Sequence, residues 1–298
     1  MRLAIGLFGL QHWFAGDFAA VVDVIRIADD KGVDQVSLTD HVVMGERVDR
    51  YPYGTFPVPL DTPWYEPVTV LATIAAATRR IRLSTGILIS PLRPAVLLAK
   101  QLATLDVLSR GRVEIGIGTG WQREEYEASG IDFDRRYRLL DEQVRACRAL
   151  WSGAPASFQG ETVKLERIHQ WPRPIQARLP IWMGLAPTPR NCRRIAELAD
   201  GWIPMLQDPK ALAAALADIR AAFAARGRDF AGFQTRVVLP GVFRADGAPD
   251  LAASLAAIPA LQAAGVTMIE ILPVMFCRGP DDFAGFVEQA LNATQGAQ

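Results

Sequence analysis

The chain alternates between short apolar runs and longer segments in which apolar residues recur at helical spacing. Residues 3–8 (LAIGLF) form an apolar run, and residues 17–31 then place Val21, Val24 and Ile25 on one face of a helix. The same alternation predicts strands at 3–8, 35–38, 81–89, 112–117, 181–185, 201–205, 235–243 and 267–272. It predicts helices at 17–31, 68–78, 95–108, 134–151, 189–198, 209–226, 250–264 and 281–291, with a small hairpin at 157–165.

Eight strands, most of them followed by a helix, are typical of a (β/α)8 TIM barrel of roughly 250 residues. The strands are apolar on both faces, as expected for parallel strands that helices cover. A doubly wound sheet is the alternative, but it needs a phosphate-binding glycine signature after the first strand, and LFGLQHWF (7–14) lacks one. We therefore predict an α/β fold with one barrel domain over residues 1–298.

In such a barrel the active site lies at the C-terminal ends of the strands. This rule selects Phe8, Asp40, His41, Gly86, Thr119, Gly120, Trp121, Gly184, Met205, Gly241 and Pro273 as candidate site positions. Residues 42–66, rich in proline, tyrosine and glycine, form a loop whose length is unusual in a compact domain. Loops of this length are commonly functional.

The third strand (IRLSTGILI, 81–89) contains a glycine in an otherwise apolar run. A glycine in a buried strand usually marks a bulge, or a place where a ligand or another backbone comes close. Gly86 is therefore expected to lie at the functional site.

Composition excludes several classes of function. The 298 residues carry 32 Lys plus Arg and 32 Asp plus Glu, so the net charge gives no argument for a nucleic acid or an anionic membrane surface. No apolar run reaches the roughly 18 residues of a membrane span. The three cysteines are far apart and are typical of reduced thiols in a cytoplasmic protein, and no metal-ligand spacing is present, so we predict no metal site.

Asp40 and His41 are the strongest candidates for chemistry. Histidine ionises near neutral pH, so beside a carboxylate at a barrel mouth it can act as a general acid or base. His41 is the one histidine of three placed clearly at a strand end. A capping role in the loop after the strand remains equally open.

The glycine-rich turns allow two interpretations. The segment 116–120 (GIGTG) departs from a dinucleotide loop because Trp121 stands where GxGxxG requires glycine. Thr119, Gly120 and the Gly184 turn can admit a flat ring or a phosphate close to the backbone, or they can simply be tight turns.

Four aromatic residues near the strand ends can line an apolar pocket or belong to the core. They are Phe8, Trp13, Trp64 and Trp121. The arginines of 79–80 and 193–194 are predicted to lie on solvated helix faces.

Several segments carry a family resemblance over nearly the whole chain. They are LTDH (38–41), FPVPLDTPW (56–64), RIRLSTGILISPLRP (80–94), AKQLATLDVLSRGRVEIGIGTGWQREEYEASG (99–130), RPIQ (173–176), PIWMGL (180–185) and RRIAELADGWIP (193–204). The sequence resembles the luciferase-like superfamily of flavin and deazaflavin oxidoreductases and is most similar to its coenzyme F420-dependent branch.

The resemblance implies a barrel, commonly a homodimer, with the cofactor ring across the strand ends. It implies a cis peptide bond at Gly86–Ile87 supporting the ring, and Asp40 contacting the cofactor. It gives His41 an acid–base or positioning role. The positions expected to approach the cofactor are Thr119, Gly120, Gly184 and Leu185.

Three positions depart from the pattern of F420-dependent sugar-phosphate dehydrogenases. Trp121 replaces a glutamate, Gly45 replaces a tryptophan, and the segment MLQDP (205–209) lacks the phosphate-binding lysine. Glu124 and Glu125 follow one turn later and are expected on a helix. A neutral or apolar substrate therefore fits better than a sugar phosphate.

Three functions follow as hypotheses. The first is hydride transfer between F420 and an organic substrate. The second is an FMNH2-dependent monooxygenase that uses O2. The third is a barrel that binds flavin or another ligand without turnover.

Overall fold

A computed structural model describes residues 1–296, so Ala297 and Gln298 of the predicted domain lie outside the described residues. The strands are β1 (Arg2–Gly6), β2 (Gln35–Leu38), β3 (Arg82–Thr85), β4 (Leu88–Ile89), β5 (Ile115–Gly118), β6 (Ala156–Gln159), β7 (Lys164–Ile168), β8 (Ile181–Met183), β9 (Gly201–Trp202), β10 (Gln234–Val238) and β11 (Met268–Ile271). The α-helices are α1 (Val21–Lys31), α2 (Pro67–Ala77), α3 (Ala95–Leu108), α4 (Arg123–Ala128), α5 (Arg136–Ser152), α6 (Pro189–Leu198), α7 (Pro209–Ala224), α8 (Leu251–Leu255), α9 (Ile258–Ala263) and α10 (Pro280–Gln295).

The main sheet is parallel throughout and follows the order β3-β2-β1-β11-β10-β9-β8-β5-β4 within the described residues. β3 and β4 are consecutive pieces of one strand, although they stand at opposite ends of this order. A parallel bridge between Leu83 and Val113 joins the two ends. The sheet therefore forms a barrel in which the third strand is interrupted, and the (β/α)8 prediction is confirmed. We call the C-terminal ends of these strands, with the residues just after them, the rim, and the N-terminal ends the floor.

The third strand is interrupted at residues 86–87, which we call the β3–β4 junction. The peptide bond between Gly86 and Ile87 is cis, as the family resemblance implies. β3 pairs with β2, whereas β4 pairs with β5. The interruption therefore lies where the strand changes partners.

Several helix starts follow from their sequences. Proline occupies the first turn of α2, α6 and α7, where its missing N–H group is not needed. The preceding Glu66, Thr188 and Asp208 each accept a hydrogen bond from a backbone N–H group of that turn. These caps fix where the chain leaves the rim and enters each helix.

Three predicted elements differ most in extent from the structure. The predicted strands 201–205 and 235–243 end at Trp202 and Val238, shortly before Pro204 and Pro240, which cannot donate a ladder hydrogen bond. The predicted helix 250–264 is two short helices, because Pro259 begins a second helix.

The prediction that the strands are apolar on both faces was also wrong for the barrel interior. Gln35, Ser37, Ser84, Arg236 and Glu270 are all buried, and they form one hydrogen-bonded and ion-paired group inside the barrel. The large apolar core instead lies between the strands and the surrounding helices. Each of these polar residues stands among apolar neighbours in its strand, so the local pattern hides it.

The floor is held by charged groups that bind the backbone. The Asp29 carboxylate accepts hydrogen bonds from the backbone N–H groups of Arg79, Arg80 and Ile81, at 2.7, 2.9 and 2.6 Å. Arg112 donates five hydrogen bonds to groups of the α2–β3 region and the turn before β5. These two residues fasten α1, α2 and the start of the third strand together.

Arg194 corrects another expectation. It is 7% exposed rather than solvated, because its guanidinium pairs with Asp141 at 2.5 Å and donates to Asn191 Oδ1. The exposed arginines 79–80 follow helix α2 rather than lying on it. Within residues 1–296, no helix is long and apolar enough to cross a membrane.

Candidate active site

Asp40 and His41 follow β2 at the rim and have different partners. Both carboxylate oxygens of Asp40 accept from Arg93, at 2.7 and 3.1 Å, and one also accepts from the Ile89 backbone N–H at 2.8 Å. Arg93 also donates to Glu66 at 3.1 Å. A bidentate pair with arginine satisfies a buried carboxylate well, and Asp40 is 4% exposed. In this structure, Asp40 therefore anchors β4 to the end of β2.

His41 pairs with a buried glutamate of α4. Its Nδ1 lies 3.1 Å from Glu125 Oε2, and the other oxygen of Glu125 accepts from the Val42 backbone N–H at 2.6 Å. The Glu125 side chain is fully buried, and that of His41 is 8% exposed. An ionised carboxylate is an acceptor only, so it selects the histidine tautomer that carries hydrogen on Nδ1. Nε2 is then the nitrogen left for another molecule.

Sequence reasoning placed Glu125 on a helix, which is confirmed, but missed its pairing with His41. The two residues are separated by 84 positions, so no local pattern connects them. The available signal was topological, because Glu125 follows the β5 turn on the same rim as the end of β2.

Aromatic side chains enclose the His41 ring. The ring centroids of Trp64, Trp121 and Phe56 lie 4.7, 6.1 and 6.4 Å from that of His41, all in edge-to-face orientations. Tyr51 packs edge-on against Trp121 at 5.2 Å. We call this set the aromatic enclosure: Phe8, Tyr51, Phe56, Trp64 and Trp121. Loop 42–66 therefore covers this part of the rim, since it supplies three of these five side chains.

The predicted pocket residues divide between two places. Phe8 packs on Trp64 at 5.1 Å and so belongs to the aromatic enclosure. Trp13 instead packs edge-on against Phe283 of α10 at 6.2 Å, beside the apolar core. The structure therefore groups Phe8, Trp64 and Trp121 around His41 and places Trp13 elsewhere.

Loop 42–66 is tied to the segment after β5 at a second point. The side-chain amide of Gln122 accepts from Gly45 N at 2.7 Å and donates to Gly45 O at 3.0 Å. A Cβ atom at Gly45 would lie 2.6 Å from Glu124 Cβ. The glycine that replaces the tryptophan of the sugar-phosphate enzymes is thus required by this close approach.

The glycines of the neighbouring strands make room for the β3–β4 junction. A Cβ atom at Gly118 or Gly184 would lie 2.9 or 2.5 Å from the Ile87 side chain. At Gly86 itself, a Cβ atom would lie 2.9 Å from Ser37 Oγ and 3.0 Å from Arg236 Nη2. Gly86 and Gly184 therefore have a packing reason to be glycine, independent of any ligand.

The remaining predicted positions lie at the same rim. The carbonyl of Thr119 accepts from the Tyr126 hydroxyl at 2.5 Å, and the carbonyl of Leu185 accepts from Trp202 Nε1 at 2.9 Å. Gly120 has φ +61°, a backbone conformation that favours glycine. These contacts fix the turns that the family resemblance assigns to the cofactor.

Buried polar atoms without partners fit a cofactor with several hydrogen-bonding groups. Within residues 1–296, Thr39 Oγ1, Ser90 Oγ and Trp64 Nε1 are buried and have no hydrogen-bond partner. Thr39 follows β2 and Ser90 follows β4, so both lie at the rim. Thr39 and Trp64 also line a cavity of about 10 Å³. Unpaired buried polar atoms are costly, so a ligand group or a water molecule that supplies donors and acceptors here would stabilise this region.

Metal-binding residues do not gather at this rim. Across residues 1–296, no group of three or more His, Cys, Asp or Glu side chains is arranged to hold a metal ion. The groups that the rim offers to a ligand are its His–Glu pair, its aromatic side chains and its unpartnered polar atoms.

Comparisons with known proteins agree with this architecture. The sequence is 38% identical over 231 residues to the uncharacterized protein Rv0953c of Mycobacterium tuberculosis, covering 75% of this chain and 74% of that protein. It is 33% identical over 168 residues to the FMNH2-dependent dimethylsulfone monooxygenase of Pseudomonas putida, covering 55% of this chain and 46% of that one.

Two solved structures share the fold. Monooxygenase RslO1 from Streptomyces bottropensis superposes with a TM-score of 0.81 at 21% identity, covering 99% of both chains. The coenzyme F420-dependent tetrahydromethanopterin reductase of Methanopyrus kandleri gives a TM-score of 0.71 at 18% identity, covering 97% of both. At these identities, the two likenesses establish the barrel architecture and nothing more specific.

The luciferase-like monooxygenase model matches residues 7–291, which is almost the whole chain and includes every rim residue described above. The chain therefore belongs to the luciferase-like monooxygenase family, whose members are oxidoreductases.

Proposed function

We propose that this protein is an oxidoreductase that transfers a hydride between coenzyme F420 and a neutral or apolar organic substrate. The observation that carries the proposal is the His41–Glu125 pair within the aromatic enclosure at the barrel rim. A bound deazaflavin would supply the hydride chemistry, and the protein would bind, orient and exclude water.

His41 would handle the proton that accompanies the hydride. Glu125 holds Nδ1 and stabilises the charged ring when Nε2 takes up a proton, as the carboxylate partner of a catalytic histidine does. The partner of His41 is fully buried, so the imidazole cannot turn towards bulk water without giving up a charge-assisted hydrogen bond.

The aromatic enclosure supports an apolar substrate. Its aromatic rings lie around His41, and Arg93, beside the end of β2, is already paired with Asp40 and Glu66. A neutral molecule with an apolar body and one polar group facing His41 fits the aromatic enclosure better than a charged molecule does.

The cofactor would lie against the rim turns. The polar atoms of Thr39 and Ser90 would bind its ring, and the β3–β4 junction would support it. Asp40 would act through Arg93 and Ile89 by holding β4 in place. Thr119, Gly120, Gly184 and Leu185 are proposed to approach the ring or its side chain.

An FMNH2-dependent monooxygenase that uses O2 is the second candidate. It is favoured by the similarity to the dimethylsulfone monooxygenase of Pseudomonas putida, which is named as FMNH2-dependent. The same barrel and the same His41 would then serve a flavin in place of a deazaflavin.

Binding titrations of F420 and FMN to the purified protein, side by side, test the proposal. We expect F420 to bind at least tenfold more tightly. Preferential FMN binding, with one O2 consumed per product, would establish the second candidate instead. Binding of either without turnover of neutral alcohols, ketones or aldehydes would favour a barrel that only binds its ligand.

We also propose a homodimer that forms through the outer faces of α2 and α3. Helix α2 (PVTVLATIAAA) has no charged residue, and the exposed residues of α3 include Val96, Leu97, Val107 and Leu108. Neither helix presents a carboxylate outward, and the one exposed cation of α3, Lys100, is bound to the Trp171 carbonyl, so a second copy can pair with this largely apolar face. Light scattering should give twice the chain mass, and Leu97→Glu should yield monomer.

A further inference from the structure

A buried ionic cluster lies directly beneath the β3–β4 junction, inside the barrel. Ser37 Oγ donates to Glu270 Oε1 at 2.5 Å, and Arg236 Nε lies 2.9 Å from Glu270 Oε2. Arg236 also donates to Ser84 Oγ at 2.9 Å and to the Thr85 carbonyl at 2.8 Å. The cluster therefore binds the last residue before Gly86 directly.

Two glycines lie directly against this cluster. A Cβ atom at Gly6 would lie 2.8 Å from Glu270 Oε1, and one at Gly86 would lie 3.6 Å from the same oxygen. Glu270 Oε1 thus sits against the ends of the first strand and of β3, the two places where the backbone carries no side chain. Ser37 Oγ and Arg236 Nη2 lie closer to the Gly86 position, at 2.9 and 3.0 Å, so the junction rests on the hydroxyl and the guanidinium that hold this carboxylate.

Stability alone does not explain the cluster. Removing both charges of a buried pair from water costs several kcal/mol for each ion, and an apolar pair of similar volume is commonly as stable or more so. The Arg236 side chain is completely buried. Burial lowers the pKa of its guanidinium, while Glu270 and then Glu114 oppose that shift.

We propose that Glu270, held by Arg236 and Ser37, is a positioning residue that fixes the β3–β4 junction and sets the charge beneath the cofactor ring. The inference rests on the proposed function, because it needs a redox cofactor at the rim. Uptake of a hydride adds one negative charge to a ring. A carboxylate below that ring disfavours the reduced form, and the neighbouring arginine offsets this effect. The pair therefore sets the balance between the two redox states.

Glu270→Gln tests this role because it keeps the shape and removes the charge. Arg236 then keeps its charge but loses the carboxylate that it pairs with, since arginine does not lose its proton in proteins. We expect the dissociation constant of the reduced cofactor, divided by that of the oxidised cofactor, to fall at least tenfold. The cofactor used is whichever of FMN and F420 the wild-type protein binds, and both redox forms are titrated anaerobically.

Glu114→Gln is the matched control. Glu114 is a buried glutamate of the same interior network and accepts from Gln35 at 2.6 Å and from Arg2 at 3.0 Å, but it lies at the floor. For Glu114→Gln, we expect the ratio of the dissociation constants of the reduced and oxidised cofactor to stay within threefold of wild type, even if the melting temperature of the variant falls. A purely structural role for Glu270 would instead make the two variants alike.

Each result decides the matter. An unchanged ratio in folded Glu270→Gln overturns the role of Glu270 and leaves the proposed function standing. If wild-type protein binds neither FMN nor F420, the proposed function fails and this inference fails with it. If Glu270→Gln does not fold, Glu270→Met removes the same charge, keeps a side chain of similar length and leaves Arg236 in place. That variant should show the same direction of change, and a wild-type ratio would overturn the proposal.

Discussion

The two ends of the barrel use the same kinds of residue for different purposes. At the floor, Asp29 and Arg112 bind backbone groups on every side, and their hydrogen-bonding capacity is used in joining helices to strands. At the rim, Asp40 is used in the same way, but its neighbour His41 keeps one ring nitrogen free of its glutamate partner. Thr39 and Ser90 also keep buried oxygens without partners among residues 1–296. Asp29, Arg112 and Asp40 therefore use their hydrogen bonds to hold the fold, whereas His41, Thr39 and Ser90 keep hydrogen-bonding groups that a ligand can bind.

The largest expected effect comes from removing the rim base. His41→Ala should lower turnover by about 10²- to 10⁴-fold, the usual contribution of general acid–base catalysis. The free energy of unfolding, measured by urea titration, should also fall by about 1–3 kcal/mol, because the buried Glu125 loses its imidazole partner, so turnover is expressed per folded molecule. His12→Ala, at an exposed histidine, is the control. Full turnover in His41→Ala would show that His41 has no catalytic role. The polar groups of the rim would then serve the fold, as those of the floor do.

Removing the floor arginine should have the opposite signature. Arg112→Ala should lower the free energy of unfolding by about 3 kcal/mol, because it leaves several buried carbonyl groups without donors. Cofactor affinity per folded molecule should be unchanged. Arg244→Ala, at an exposed arginine, is the control. A loss of cofactor affinity with unchanged stability would contradict the division between the two ends.

Gly86→Ala should show both kinds of effect. The added methyl group would meet Ser37 Oγ and Arg236 Nη2 at 2.9 and 3.0 Å, so the interior cluster or the strand must shift. We expect a destabilisation of about 1–3 kcal/mol, as for overpacked cores, together with weaker cofactor binding. Gly153→Ala is the control, because its added Cβ would have no neighbour within 4 Å among the described residues. Wild-type stability and wild-type cofactor affinity in Gly86→Ala would show that the β3–β4 junction accommodates the added methyl group.

The smallest effect is a pH dependence at the floor. Burial would raise the pKa of Asp29, but the N–H groups of Arg79, Ile81 and Arg80 outweigh it and hold the pKa below its usual value of 3.8. A lowered carboxyl pKa stabilises the fold above that value, and the stability is lost as the pH falls below it. The melting temperature of the wild type should therefore exceed that of Asp29→Asn at pH 6, and the gap should narrow below about pH 4. A difference in melting temperature between wild type and Asp29→Asn that does not change with pH would contradict this prediction.

Much of the fold was predictable because periodicity is a local property. The eight strands, the interrupted third strand and the rim positions of Asp40 and His41 all followed from short segments. The missed features join distant parts of the chain. His41 and Glu125 are 84 residues apart, and Ser37 and Glu270 are 233 apart. A single Arg236 or Glu270 in an apolar strand looks like an exception until the barrel closes and places the two side by side.

The most direct test of the account is a crystal structure of the protein with the cofactor that it binds. We expect the ring at the rim, against the β3–β4 junction and within reach of His41. The floor holds a larger cavity of about 420 Å³, lined by residues that include Arg2, Arg80 and Arg82. A ring bound in that cavity, with the rim left to solvent, would contradict the central claim that the rim is the redox site.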